Sequence, residues 1–128
     1  MSYHHSNAMF KMPDDPNVPI LMVSAGSGIA PFRSFWQQRM LLHWPRSTAW
    51  LYHGCRNRSE NMFEDETSKI VQRHVAMSRV GDTKQYVQDL LLRDQTFVYD
   101  VIANRKGQIY LCGKVFFSKE SFFYVIDF

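Results

Sequence analysis

The chain has 128 residues, 45% of them apolar and 21% charged, with a formal net charge of +3. That length suits one compact domain with a core of its own, and no apolar stretch approaches the roughly 20 residues that a membrane-spanning helix needs. Cys55 and Cys112 are too few for a disulfide framework, so a reducing, cytoplasmic setting is expected, and the mild basic charge suits an anionic small ligand, with no continuous basic stripe to point to nucleic acid.

Residues 1–9, with no secretory pattern, read as a disordered tail in which His4 and His5 are terminal histidines rather than ligands. The domain is expected to begin near Phe10. Val18 to Ala25, "VPILMVSA", is a continuous apolar run of strand length, of the kind buried on both faces of a parallel sheet. Pro31 stands where a helix starts, since its missing N–H costs nothing there. Phe32, Phe35, Trp36, Arg39 and Met40 follow at helical spacing, and Pro45 closes the element. "TAWLYHG" (48–54) reads as a second strand, "NMFEDETSKIVQ" (61–72) as a short helix and "RHVAMS" (73–78) as a third strand. "YVQDLLL" and "FVYDVIANR" read as turns of one broken crossover helix, which Gly107 stops before a fourth strand, "QIYLC". Strand and helix in alternation predict right-handed crossovers and a Rossmann-like, doubly wound, mostly parallel α/β sheet.

In such sheets, ligands bind outside the carboxyl ends of the strands. The first strand runs into Gly26-Ser27-Gly28-Ile29-Ala30-Pro31. Bare backbone feeding a helix N-terminus makes an anion site, although a tight turn with no ligand has the same sequence. The second strand ends in "HGCR", with no acid at its end to grip a ribose 2′-hydroxyl and with Arg56 to meet a phosphate. Beyond the third strand, Ser78, Arg79 and Lys84 supply a hydroxyl, a forked guanidinium and an ammonium, a suitable set for a 2′-phosphate. Tyr86 offers a ring to stack on adenine. Each of these side chains is, taken alone, more often a solvated surface residue than a ligand contact.

Taken in order, "GSGIAPFRSFWQQR", "WLYHGCRNR", "MSR…KQYVQDLL" and "GQIYLCG" resemble the NADPH-binding subdomain of the diflavin reductases, whose core is that of the ferredoxin–NADP reductase superfamily. "GIAPFRSFWQQR" and "GCRNR" match the nitric-oxide synthase branch especially well. The resemblance covers about residues 10–113, which become the NADP(H)-binding domain, and leaves 114–128 as a divergent C-terminal segment. It implies that Gly26, Ser27 and Gly28 hold the pyrophosphate and that Arg56 contacts the cofactor. Ser78 and Arg79 then bind the 2′-phosphate, and Lys84, Tyr86 and Gln88 finish the adenosine-phosphate site. Cys112 falls at the cysteine beside the nicotinamide, where hydride leaves for FAD; read from the residues alone, it is a buried thiol at a strand end. Gly113 and Lys114 follow it where the family reads Cys-Gly-Asp, so Lys114 puts a cation in place of an acid.

The segment from Arg56 to Arg79 is about seven residues shorter than the family pattern, and "FFSKESFFYVIDF" is much too short for a further helix and parallel strand. Its aromatic residues, Phe116, Phe117, Phe122, Phe123, Tyr124 and Phe128, are either core or an exposed remnant. No FAD-binding barrel motif precedes residue 10, and no flavodoxin-like or haem domain fits this length. The expectation is therefore a fragment or divergent product of a larger electron-transfer enzyme. In that enzyme, NADPH would pass hydride to FAD, and FAD- and FMN-binding domains would be the partners. The isolated chain would lack turnover. The alternatives are a binding-only NADP module, the same domain of a cytochrome or sulfite reductase type, or an unrelated α/β nucleotide binder.

Overall fold

The computed structural model describes residues 2–4, 11–81, 84–114 and 121–127, with residues 2–4, 114 and 121–127 described by their backbone alone. Six strands form one sheet: β1 (Ser2–His4), β2 (Ile20–Ala25), β3 (Ala49–Cys55), β4 (Gln72–Met77), β5 (Gln108–Lys114) and β6 (Ser121–Asp127), in the order β1-β6-β5-β2-β3-β4. The four strands β5, β2, β3 and β4 are parallel to one another. The apolar run of β2 is buried over Ile20–Ser24 because it lies at the centre of that parallel core.

A tight 3-10 turn over Gly26–Phe32 leads into α1 (Arg33–Leu41), so Pro31 lies inside the turn and the α-helix proper starts two residues later than expected. Phe35 and Trp36 of α1 pack with Met22, Leu51 and Tyr110 on one face of the sheet. On the other face, α3 (Val87–Arg93) and α4 (Gln95–Tyr99), continued by a π-turn over Asp100–Asn104, pack Leu90, Val101 and Ile102 against Leu21, Val23 and Tyr52. Helices on both faces make the domain doubly wound, and the broken crossover between β4 and β5 is present as expected.

The buried stripe of α1 departs from its simple reading. Met40 is exposed, whereas Arg39 is buried. Its guanidinium donates to Thr48 Oγ1 at 2.6 Å and to the Pro45 carbonyl at 3.0 Å, and it lies over the Trp44 ring, so the charge is paired with dipoles rather than left bare. The helix expected over 61–72 shrinks to the single turn α2 (Glu64–Thr67). Phe63 precedes it in the left-handed region, at φ +62°, held there by the Trp36 ring and by the Arg33 guanidinium over its own ring.

The two ends also differ from the sequence reading. Ser2–His4, within the segment read as a disordered tail, pairs with β6. The C-terminal segment forms an antiparallel hairpin with β5, from Gln108↔Asp127 to Lys114↔Ser121. Six residues between two strands allow a hairpin but not a parallel crossover, which needs a dozen or more. Whether the C-terminal aromatic side chains are core or exposed lies outside the described residues, as do residues 5–10 and the Lys114 side chain.

Candidate functional site

Every singled-out position falls at the carboxyl end of the parallel core. Gly26 takes φ +58°, and a side chain there would point into open space. Among the described residues, no side-chain cap hydrogen bond closes the start of the 3-10 turn, an end whose N–H groups suit an anion. Gly28 has a packing reason to be glycine, beside the cofactor role expected of it. A Cβ on it would stand 2.4 Å from the Cys112 carbonyl oxygen and 2.6 Å from Gly113 Cα, so its bareness serves the packing of the turn on the end of β5. Gly113, at φ +155°, returns the contact, since a Cβ there would crowd Ala25 at 3.1–3.2 Å. The two glycines thus interlock the turn carrying Ser27 with the strand carrying Cys112.

Cys112 is 2% exposed, and burial pushes its thiol up to about 12. It is a neutral thiol, suited to contact and not to attack by a thiolate. Beside it in the sheet, Ser24 pairs with Cys112 on one side and with His53 on the other. Ser24 Oγ and His53 Nδ1 share a buried hydrogen bond of 2.8 Å. Burial first, and the nearby Arg73 guanidinium second, push His53 down to about 4, so the ring is neutral near pH 7. The sequence reading missed this pair. Its signal was two polar residues at inward-facing positions of otherwise apolar strands.

At the ends of β3 and β4 the backbone brings two of the candidate cations, Arg56 and Arg79, together. The Ser78 N–H donates to the Cys55 carbonyl at 2.9 Å, and the Arg79 N–H to the Arg56 carbonyl at 2.8 Å. Arg56, Arg79 and Lys84 are exposed, and Ser78 is half-buried. The acid thought missing at this strand end arrives from farther along the chain: Glu60 accepts two hydrogen bonds from the Arg56 guanidinium, at 2.5 and 2.9 Å. Tyr86 stands just ahead of α3, its N–H donating to Asp89 Oδ2 at 2.8 Å, and Gln88 lies exposed in the first turn. Val87 fits directly over Gly54, which sets the start of α3 against the end of β3. Among the described residues, no helix is long and apolar enough to cross a membrane. The site as built offers uncapped N–H donors, an open glycine and clustered cations along one edge, a donor set that fits a phosphorylated dinucleotide.

Comparison with known proteins agrees with the α/β fold. A family model described as the oxidoreductase NAD-binding domain matches residues 22–121. Nitric oxide synthase of Drosophila melanogaster is 37% identical over 118 residues, covering 83% of this chain and 9% of that protein. NADPH–cytochrome P450 reductase of the same organism is 40% identical over 115 residues, covering 83% of this chain and 17% of that protein. The chain therefore spans a small part of the relatives it matches. Among solved structures, ferredoxin–NADP+ reductase from Plasmodium falciparum (the H286L mutant, crystallised with 2′P-AMP) superposes with a TM-score of 0.65 at 22% identity, covering 82% of this chain and 47% of that one. This likeness is one of fold. With a family model matched over residues 22–121, the chain belongs to the oxidoreductase NAD-binding domain family.

Proposed function

We propose that residues 10–113 bind NADP(H) along the carboxyl edge of the parallel core and present its nicotinamide to an FAD held by another domain, in a chain of the nitric-oxide synthase kind. The observation that carries the reading is the hydrogen bond from the Arg79 N–H to the Arg56 carbonyl, which brings these two arginine positions together at the ends of β3 and β4, the edge where the reading puts the 2′-phosphate. In this reading the uncapped N–H groups after Gly26, with the Ser27 hydroxyl, hold the pyrophosphate. Arg56, Ser78, Arg79 and Lys84 hold the 2′-phosphate, while Tyr86 and Gln88 flank the adenosine. NADPH, when bound, supplies a hydride. Cys112 and Gly113 shape the pocket beside the reacting ring, the neutral thiol adding contact without charge, and Lys114 follows at its rim. The setting is cytoplasmic, and FAD- and FMN-binding domains are the partners.

Charge-assisted hydrogen bonds contribute roughly 1.5–3 kcal/mol each. Arg79→Ala is therefore expected to weaken NADP+ by about ten- to a hundredfold, and NAD+, which lacks the 2′-phosphate, by less than about twofold. Calorimetric titration of both nucleotides checks this, and equal loss for the two removes Arg79 from the phosphate site.

The protein's share of hydride transfer is positioning, and an acceptor must be held against the nicotinamide. The chain mixed with NADPH and ferricyanide is expected to show no oxidation above background. Fusing an FAD-binding domain at its N-terminus supplies the acceptor; Cys112→Ala is then expected to slow turnover more than it weakens NADP+ binding. Robust oxidation by the unfused chain overturns the division of labour proposed here.

A further inference from the structure

Arg56 is not an idle cation at the strand end. Glu60 Oε1 accepts from its Nη2 at 2.5 Å and Oε2 from its Nε at 2.9 Å, while the Arg56 main-chain N–H points at the same Oε2 from 3.4 Å. A planar carboxylate on a guanidinium fork plus a main-chain N–H uses the donors that two oxygens of a phosphate would use. Arg79, bonded through its backbone to Arg56, also acts electrostatically on Glu60. The carboxylate thus sits in the fork of Arg56, one of the cations that the proposed reading assigns to the 2′-phosphate, with the Arg79 charge acting on it more weakly. Arg56 and Glu60 remain 57% and 33% exposed, so the pair can open without disturbing the core.

We propose that Glu60 is an internal competitor for the 2′-phosphate: its carboxylate occupies the Arg56 fork in the free protein and must turn aside when a 2′-phosphorylated nucleotide binds. Glu60 thereby sets how strongly the site prefers NADP(H) over NAD(H). A ligand without that phosphate leaves the pair closed and is indifferent to it. The inference rests on the NADP(H) reading above and adds a specificity-determining residue to it.

The test is calorimetric titration of 2′,5′-ADP and of 5′-AMP into the wild-type chain, Glu60→Gln and Glu60→Asp. An exposed ion pair between neighbouring residues is weak, so the expected gain is modest. Glu60→Gln is expected to bind 2′,5′-ADP about three- to fivefold more tightly and to change 5′-AMP by less than about twofold. Glu60→Asp, whose shorter side chain withdraws the carboxylate, is expected to lie between. A role confined to holding the loop would move both ligands together, and that result overturns the proposal. So does unchanged or weaker 2′,5′-ADP binding by Glu60→Gln. If 2′,5′-ADP binds none of the three proteins, the NADP(H) reading itself falls, an outcome separable from the others because Arg79→Ala then also leaves NADP+ binding unchanged.

Discussion

Gly28→Val is expected to destabilise the protein by about 3 kcal/mol and to abolish binding of NADP+ and NAD+ alike. The added Cβ would meet the Cys112 carbonyl oxygen at 2.4 Å and Gly113 Cα at 2.6 Å, and both are backbone atoms that no rotamer change can move. Overpacking of this kind forces the turn and β5 apart. For a chain of this size, thermal unfolding monitored by circular dichroism should show a drop of roughly 10 °C. Gly26→Ala is the contrast. Its Cβ meets open space, and only the left-handed backbone resists it, at about 1–2 kcal/mol. Equal stability of Gly28→Val and the wild type would mean that the turn is not wedged against β5.

That contrast shows how far the residues could be read unaided. The Gly-x-Gly pattern announced a turn at a strand end, and the structure holds one there. The pattern did not say that the two glycines are needed for opposite reasons, one for a positive φ and the other for a neighbour that arrives more than eighty residues later in the chain. The strands were legible because Ile20–Ala25 and Ala49–Cys55 are apolar on both faces, and their lengths fit a parallel core. The helix over 61–72 was not, because Phe63 leaves helical backbone to pack on Trp36, a contact between distant segments. Arg39 read as one more position on an apolar stripe, and only the Thr48 hydroxyl and the Pro45 carbonyl explain how a guanidinium can be buried there. Glu60 escaped for a local reason. Its partner, Arg56, is four residues away, but the stretch between them is a 3-10 turn that sequence periodicity did not announce.

Acidification from pH 7 to 4 is expected to destabilise the fold by up to roughly 3 kcal/mol through His53 alone. An unfolded histidine takes up a proton near pH 6.5, whereas the buried ring resists it until about 4. The unfolded state therefore binds more protons throughout that window, and stability falls as pH falls through it. His74, lowered by its own burial, acts in the same direction. The depressed carboxyl of Asp94, held near 2 by Arg93 and Tyr52, titrates below the window. Urea denaturation at several pH values measures the slope. Replacing both members of the buried hydrogen bond, as Ser24→Ala with His53→Phe, is expected to flatten most of it, because the titrating ring is gone, and removing the Ser24 hydroxyl with it leaves no orphaned partner. An unchanged slope in the double variant would show that the acid sensitivity lies elsewhere.

The central strand has one further consequence, for how the chain reaches this fold. Ile20 pairs on one side with Ala49 and on the other with Gln108, so β2 meets one neighbour early in the sequence and the other near its end. Closing the longer loop is entropically the more demanding step, and parallel pairing of this kind is slow. During synthesis, β2 and β3 can zip together while the far edge of β2 still exposes its N–H and C=O groups. That edge is apolar on both faces and templates pairing with other chains until β5 arrives. Until residues 108–114 have been made, the strand at the heart of the finished domain therefore keeps one edge unpaired.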